Sequence, residues 1–271
     1  MKAYSTLVVL IVCLGYTYAQ GNFSFTPGVI TSYELSMTQY RNDRDAEALI
    51  IYDFGDFVFD RFISDNFMLR KHRQMKLKIL TQAGIDHATF EIPIRREQQN
   101  WERFEIQRAV VYNMIGNSVQ RTELDQSRIY EERVGDNIVV KIFTMPNVQA
   151  GSVIQLAYTI TTPFFFNMTW QFQRRIPVLY SRLRYLATPL YEYAFILRGA
   201  DRFDEQSSRV LPTVHNFRGL GFQEVEFIFG IRNIPAFRDE EFITTPRDHM
   251  ISLDFQISRM RHPGGRAMSL S

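Results

Sequence analysis

An all-β fold is predicted for this chain: a large antiparallel two-sheet β-sandwich of the super-sandwich type, with little helix, preceded by a signal peptide. Three observations predict it. Short segments of alternating apolar and polar residues recur between turn residues, the period-two pattern of half-buried strands. Phe, Tyr and Trp make up 14% of the 271 residues, 23 of them Phe, and aromatic side chains favour pleated, buried surfaces. Beyond the leader, no stretch carries the 3.6-residue period of a long amphipathic helix.

The N-terminus predicts export. Lys2 is the only charge before residue 34, and Leu7–Leu14 (LVVLIVCL) is an apolar run of signal-peptide length. Thr17-Tyr18-Ala19 then places a small residue at a cleavage site, so residues 1–19 read as a signal peptide and Gln20 as the first mature residue. The run is short of the ~20 residues of a comfortable transmembrane helix. A lipoprotein reading would use Cys13, but the bulky Ile11-Val12 precedes it where small residues belong. The expectation is an exported, soluble protein, periplasmic or extracellular, that does not span the membrane. Cleavage removes Cys13, the one cysteine. Without disulfides the mature chain must be held by burial, and its length allows that. The sequons at Asn22 and Asn167 matter only on a eukaryotic secretory route.

The strand candidates follow in order. Ala48–Tyr52 and Phe57–Phe59 flank Asp53-Phe54-Gly55-Asp56, which reads as a Gly-containing hairpin loop. Met68–Leu80 alternates Met75, Leu77 and Ile79 with Gln74, Lys76 and Lys78, and stops near Gly84. Ala88, Phe90, Ile92 and Ile94 form the next row. Phe104 to Tyr112 leads into a turn at Gly116-Asn117. Ile138–Met145 and Val153–Thr161 read as an antiparallel pair joined through Pro146-Asn147 to Gly151. Phe172–Leu186, Tyr191–Leu197, Val225–Ile231 and Ile251–Ile257 complete the set, with a short helical turn near Asp125–Glu131. Bracketed by Asn147 and Gly151, residues 148–153 should turn tightly, with Gly151 at positive φ or closely packed. Residues 20–265 read as one domain with an internal boundary near residue 163. Pro263-Gly264-Gly265 breaks the last strand, leaving 266–271 as a frayed tail.

Several chemistries are excluded or weakly supported. With 31 basic against 29 acidic residues, there is no electrostatic case for nucleic acid. The mature chain lacks a thiol nucleophile and a Gly-x-Ser-x-Gly elbow. His72, His87, His215, His249 and His262 are too scattered for a local metal site. Asn42-Asp43-Arg44-Asp45 and Asp53-Phe54-Gly55-Asp56 offer oxygens for Ca²⁺, but those residues equally suit turns. Gly219-Leu220-Gly221 reads as a loop. No catalytic residue, metal site or cofactor is predicted. The most suggestive surface is the basic strand: Arg70, His72, Lys76 and Lys78 share one face of an extended Met68–Leu80. That face could meet an anionic glycan or headgroup, or simply be solvated. Trp101 and Trp170 could stack on sugars or fill a core.

Certain stretches resemble a known family. They are Asp45-Ala46-Glu47-Ala48 to Tyr52-Asp53-Phe54-Gly55-Asp56; Lys78-Ile79-Leu80 with Gly84; Phe143-Thr144-Met145-Pro146-Asn147-Val148 with Gly151-Ser152-Val153-Ile154; and Trp170-Gln171-Phe172-Gln173 with Ile176-Pro177-Val178-Leu179-Tyr180. Together, from residue 33 to about 185 and onward to Pro263-Gly264-Gly265, they resemble the all-β domain of unknown function found N-terminal to transglutaminase-like cores in exported bacterial proteins. The resemblance implies a β-sandwich, export from a Gram-negative cell and an accessory, non-catalytic role. Gln155 departs from it, standing where an acidic residue is expected. The core's catalytic Cys, His and Asp have no positions here to map onto. The expected function is thus a non-catalytic exported module that supports or docks a transglutaminase-like protein, or a remnant of such a protein. The alternative is a free-standing binding module for cell-envelope glycan or peptide.

Overall fold

The structure is a computed structural model, which describes residues 23–60, 68–97, 100–189, 191–217, 220–238, 249–261 and 267–269. The proposed signal peptide and the Pro263-Gly264-Gly265 break lie outside these residues. Strand accounts for 63% of the chain and helix for 7%, so the fold is all-β, in multiple antiparallel sheets.

A five-residue helix, α1 (Ser32–Ser36), precedes the strands and was not foreseen. It starts because Thr31 and Glu34 form a capping box: Thr31 Oγ1 accepts from the Glu34 N–H, and Glu34 Oε2 from the Thr31 N–H. The first strands are β1 (Ala48–Asp60), β2 (Met68–Ile79), β3 (Thr89–Glu97), β4 (Asn100–Trp101), β5 (Arg103–Ile115) and β6 (Ser118–Glu123). Next come β7 (Tyr130–Arg133), β8 (Ile138–Thr144), β9 (Val153–Thr162), β10 (Asn167–Gln171) and β11 (Val178–Ala187). The last are β12 (Tyr191–Arg198), β13 (Glu205–Phe217), β14 (Leu220–Ile234), β15 (Ser252–Arg261) and β16 (Ala267–Ser269).

Eight strands form one large sheet in the order β13-β14-β11-β1-β2-β9-β5-β6. Two smaller sheets are β10-β15-β12, with β16 on β15, and β4-β3-β8-β7. All three contribute to one apolar core, in which Ile50, Leu77, Leu156 and Leu183 of the large sheet join Ile92 and Phe143 of one small sheet and Leu253 and Phe255 of the other. Edge-to-face rings tie the layers together, as in Phe57 against Trp170 and Tyr185 against Phe255. The large sheet draws strands from both sides of residue 163.

The outer face of that sheet is also covered. Leu49 and Ile51 alternate with the inward Ala48 and Ile50, and pack with Leu179 against Met37, Tyr40 and Ala46. Residues 23–46 therefore form a strap across the sheet.

Several sequence expectations are corrected. Asp53-Phe54-Gly55-Asp56 is not a loop but the middle of β1. Gly55 sits there because a side chain would collide with the core: an added Cβ would lie 2.6 Å from Trp170 and 2.8 Å from Leu183. Phe172–Leu186 is interrupted, with β11 starting only at Val178. β13 was missed, its polar, Pro-containing sequence carrying little alternation. β1 and β11 run parallel, which the long intervening chain permits. Leu220-Gly221 opens β14, and Ala267–Ser269 pair with Arg259–Arg261 rather than fraying.

Nor do Ile138–Met145 and Val153–Thr161 pair. β8 lies between β3 and β7, while β9 lies between β2 and β5. The connection between them crosses from a small sheet to the large one, held by Asn113, which donates to the Asn147 carbonyl at 2.8 Å, and by the Gly151 N–H to Ile79 O at 3.0 Å. Asn147 and Gly151 both take positive φ, 54° and 96°. An added Cβ at Gly151 meets nothing within 4 Å, so Gly151→Ala incurs backbone strain alone. Its expected cost is about 1 kcal/mol, read as a fall in melting temperature; an unchanged value would contradict the strained geometry.

Candidate functional site

The charges on β2 sort onto two faces. On the outer face lie Arg70, His72, Gln74, Lys76 and Lys78, as the alternation predicts, but the face is not uniformly solvated. Lys76 and Lys78 are fully buried beneath the strap. Lys76 Nζ donates to Glu34 Oε1 at 2.9 Å and to the Ser24 carbonyl at 2.7 Å. Lys78 Nζ donates to the carbonyls of Leu35 and Gly151. Burial pushes the Lys78 ammonium down to about 8, and lowers Lys76 as well against the pull of Glu34. These two lysines are thus removed from any surface site, because the carbonyls of Ser24, Leu35 and Gly151 and the Glu34 carboxylate replace their water. Gln155, neutral where an acid was expected, lies under the same strap with its amide against Val29 O and Arg108. The carboxylate for Lys76 comes instead from Glu34.

Arg70 and His72 stay toward the other end of β2, Arg70 exposed and His72 half-buried. His72 Nδ1 lies 3.0 Å from Thr159 Oγ1, and Nε2 lies 2.7 Å from the Gln74 amide. Burial lowers the His72 pKa. A groove of about 360 Å³ opens beside it, walled by Phe25, Pro27, Phe54, Arg182 and Arg184. Arg184 is engaged by Asp56 at 2.8 Å and Glu226 at 2.7 Å. Gln74 Oε1, which borders the groove, is buried without a hydrogen-bond partner among the described residues.

The inner face holds a cluster that the sequence reading missed. A bulge in β1 between Ile50 and Tyr52 reverses the alternation, turning Tyr52 outward and Asp53 into the core side. Asp53 is fully buried. Arg73 grips it at two points, through Nε to Oδ1 at 2.7 Å and through Nη2 to Oδ2. Arg174 adds Nη2 to Oδ2 at 3.3 Å. Burial alone would raise the Asp53 pKa, yet the two guanidiniums outweigh it and hold the carboxyl below its ordinary value. Burial likewise opposes the Arg73 charge, but Asp53 prevails and raises it. Arg174, with the longer contact, is pushed down to about 10 by burial and then by Arg73. The one available signal was Arg73 itself, a charge interrupting the apolar row of Met75, Leu77 and Ile79.

These arginines line a second cleft, of about 330 Å³, between the large sheet and β3. Trp170 belongs to the core, 4% exposed, and its indole N–H donates to Ser181 Oγ at 3.1 Å. Trp101 is 56% exposed, with the Arg96 guanidinium 5.2 Å from its ring. Among the described residues no group of three or more His, Cys, Asp or Glu is placed to hold a metal ion, and no helix is long and apolar enough to cross a membrane.

Comparison with solved structures gives a fold likeness to a Parabacteroides distasonis protein designated a "putative protease", with a TM-score of 0.57 and 14% identity. The likeness covers 79% of this chain and 41% of that one, so the chain spans about two fifths of that protein's length. A "putative nutrient binding protein" of Legionella pneumophila aligns at a TM-score of 0.32 and 9% identity over 79% of this chain and 68% of that one. No curated protein matches the sequence. The model of a domain of unknown function with solved structures, DUF3857, matches residues 66–212. That span holds β2, Arg73, Arg174 and the Asn147–Gly151 connection, and by it the chain belongs to the DUF3857 family.

Proposed function

We propose that this chain is an exported, non-catalytic β-sandwich module that docks or supports a catalytic partner of the transglutaminase-like kind. The observation that carries the reading is the fold likeness over 41% of a longer chain: there, a sandwich of this kind forms one part of a larger protein. The use of the buried charges supports it. Asp53 is held by Arg73 and Arg174, and Lys76 and Glu34 pin the strap, so both buried carboxylates are committed to ion pairs within the fold. A second reading, an envelope glycan- or peptide-binding module, is favoured by the groove lined by His72, Arg182 and Arg184.

Residues 20–271, purified after export, are expected to incorporate no fluorescent amine into a glutamine-containing protein and to cleave no peptide library. Robust turnover would overturn the non-catalytic reading. A pull-down from envelope extract separates the two readings: retention of a transglutaminase-like protein supports docking, and retention of polysaccharide or peptide supports binding. Mass spectrometry of the secreted chain, expected to begin at Gln20, tests export.

A further inference from the structure

The geometry points to the cleft between β3 and the inner face of the large sheet as a binding site for the carboxyl-terminal end of an extended apolar peptide. This cleft lies across the sheet from the outer groove, and the inference depends on neither reading above.

Three independent features converge there. The first is an apolar body. Ile50, Leu77 and Leu156 from the large sheet face Phe90, Ile92 and Ile176 across a volume of about 330 Å³, at the lower end of the range for ligand pockets.

The second is a cationic end. Arg73 and Arg174 line the cleft with side chains only 21% and 25% exposed, and share a single buried carboxylate. The pair carries one positive charge in excess of Asp53 at the wall of the cleft, where an entering anion would complete the compensation. Both guanidiniums are pre-positioned. Arg73 is fixed by Asp53, by Tyr158 Oη at 3.4 Å and over the Trp170 ring at 5.2 Å. Arg174 is fixed by Asp53 and by Gln171 Oε1 at 3.3 Å. A fixed guanidinium pair with remaining N–H groups selects a planar carboxylate. The depressed Arg174 pKa agrees with this under-compensation.

The third is an unpaired strand edge. β3 pairs with β8 from Thr89 to Arg95 on one side; on the other, among the described residues, β4 meets it at Arg96 and Glu97 and Glu102 bonds the backbone of Arg95, which leaves the stretch before Pro93 open. Met145 N donates to Ala88 O and Arg96 N to Asn137 O, so the backbone groups of even-numbered residues face β8. Those of Glu91 then face the open edge. Thr89–Ile92 border the cleft, where an added strand can pair. Pro93, without an N–H, ends that edge. His87, Glu91 and Arg175 are the other titratable residues lining the cleft. The Glu91 carboxylate disfavours acidic side chains there, so the required charge belongs at the peptide's end.

The test uses a six-residue peptide of alternating threonine and valine, labelled with fluorescein at its N-terminus, and fluorescence anisotropy with residues 20–271. The free acid is expected to bind about ten-fold or more tightly than its C-terminal amide, the value of a charge-assisted pair. N-methylation of alternate backbone nitrogens should weaken binding at least several-fold. In Arg174→Gln, which leaves the two-point Asp53–Arg73 contact, the preference for acid over amide should largely vanish. Equal binding of acid and amide overturns the carboxylate site, and indifference to N-methylation overturns strand addition. Binding of laurate with none of the peptide also overturns the proposal, in favour of a fatty-acid site. The acid–amide and N-methyl comparisons vary only the ligand, so they decide the matter even if the arginine variant does not fold.

Discussion

Asp53→Asn is expected to lower the stability of the protein by about 3–5 kcal/mol, the cost of removing one partner from a buried ion pair. For a chain of this size that is a fall in melting temperature on the order of 10 °C. Asparagine preserves the shape and one acceptor oxygen, so the loss combines the charge with the hydrogen bonds made to the second oxygen. Arg73 and Arg174 then face each other across a neutral amide with little water to screen them. The pH dependence follows from the depressed Asp53 pKa. The unfolded carboxyl titrates near ~3.9, and the folded one below it. Its stabilisation is therefore complete at neutral pH and is lost as pH falls below about 4 through the folded value. Denaturation curves of the parent and Asp53→Asn should converge at about pH 3 or lower. A difference that stays constant from neutral to acid pH would show that the carboxylate charge is not what stabilises the cluster.

Lys76→Met is expected to cost a comparable amount, about 3 kcal/mol or somewhat more. Glu34 would remain fully buried with the Ser24 and Thr31 N–H groups as donors but without a counter-charge. The damage should be local before it is global. Amide exchange across residues 23–46 should accelerate more than in β2, β9 or β11, since Lys76–Glu34 is a fully buried ion pair between the strap and the sheet. The double variant Lys76→Met/Glu34→Gln removes both charges but keeps an acceptor oxygen for only one of the two N–H groups, so it should recover part of the loss. No recovery in the double variant would mean that the loss in Lys76→Met does not come from the uncompensated Glu34 charge.

Short-range information lay open in the amino-acid order. The alternation of Met75, Leu77 and Ile79, of Phe90, Ile92 and Ile94, and of Tyr191 to Leu197 placed β2, β3 and β12, because a strand with one face on a core must repeat every second residue. Asn147 and Gly151 marked the connection where the backbone turns left-handed, since few other residues tolerate that conformation. The basic row on β2 was equally legible, and its residues do share one face.

What surrounds that face was not legible. Whether Lys76 and Lys78 meet water or a strap depends on residues 23–46 folding back over the sheet, a contact made across more than forty positions with no local pattern to announce it. Asp53 looked like turn chemistry beside Gly55, because Asp, Phe, Gly and Asp carry the same local preferences in a loop as in a bulged strand. Only the packing of Trp170 and Leu183 requires a glycine there, and only the one-residue bulge in β1 sends Asp53 inward to Arg73 and Arg174. Strand periodicity is a property of neighbours in sequence, so the sequence by itself determined the all-β class and most of its strands. Strand partners, sheet faces and the pairing of buried charges are settled by contacts between distant segments, and those the tertiary structure alone decided.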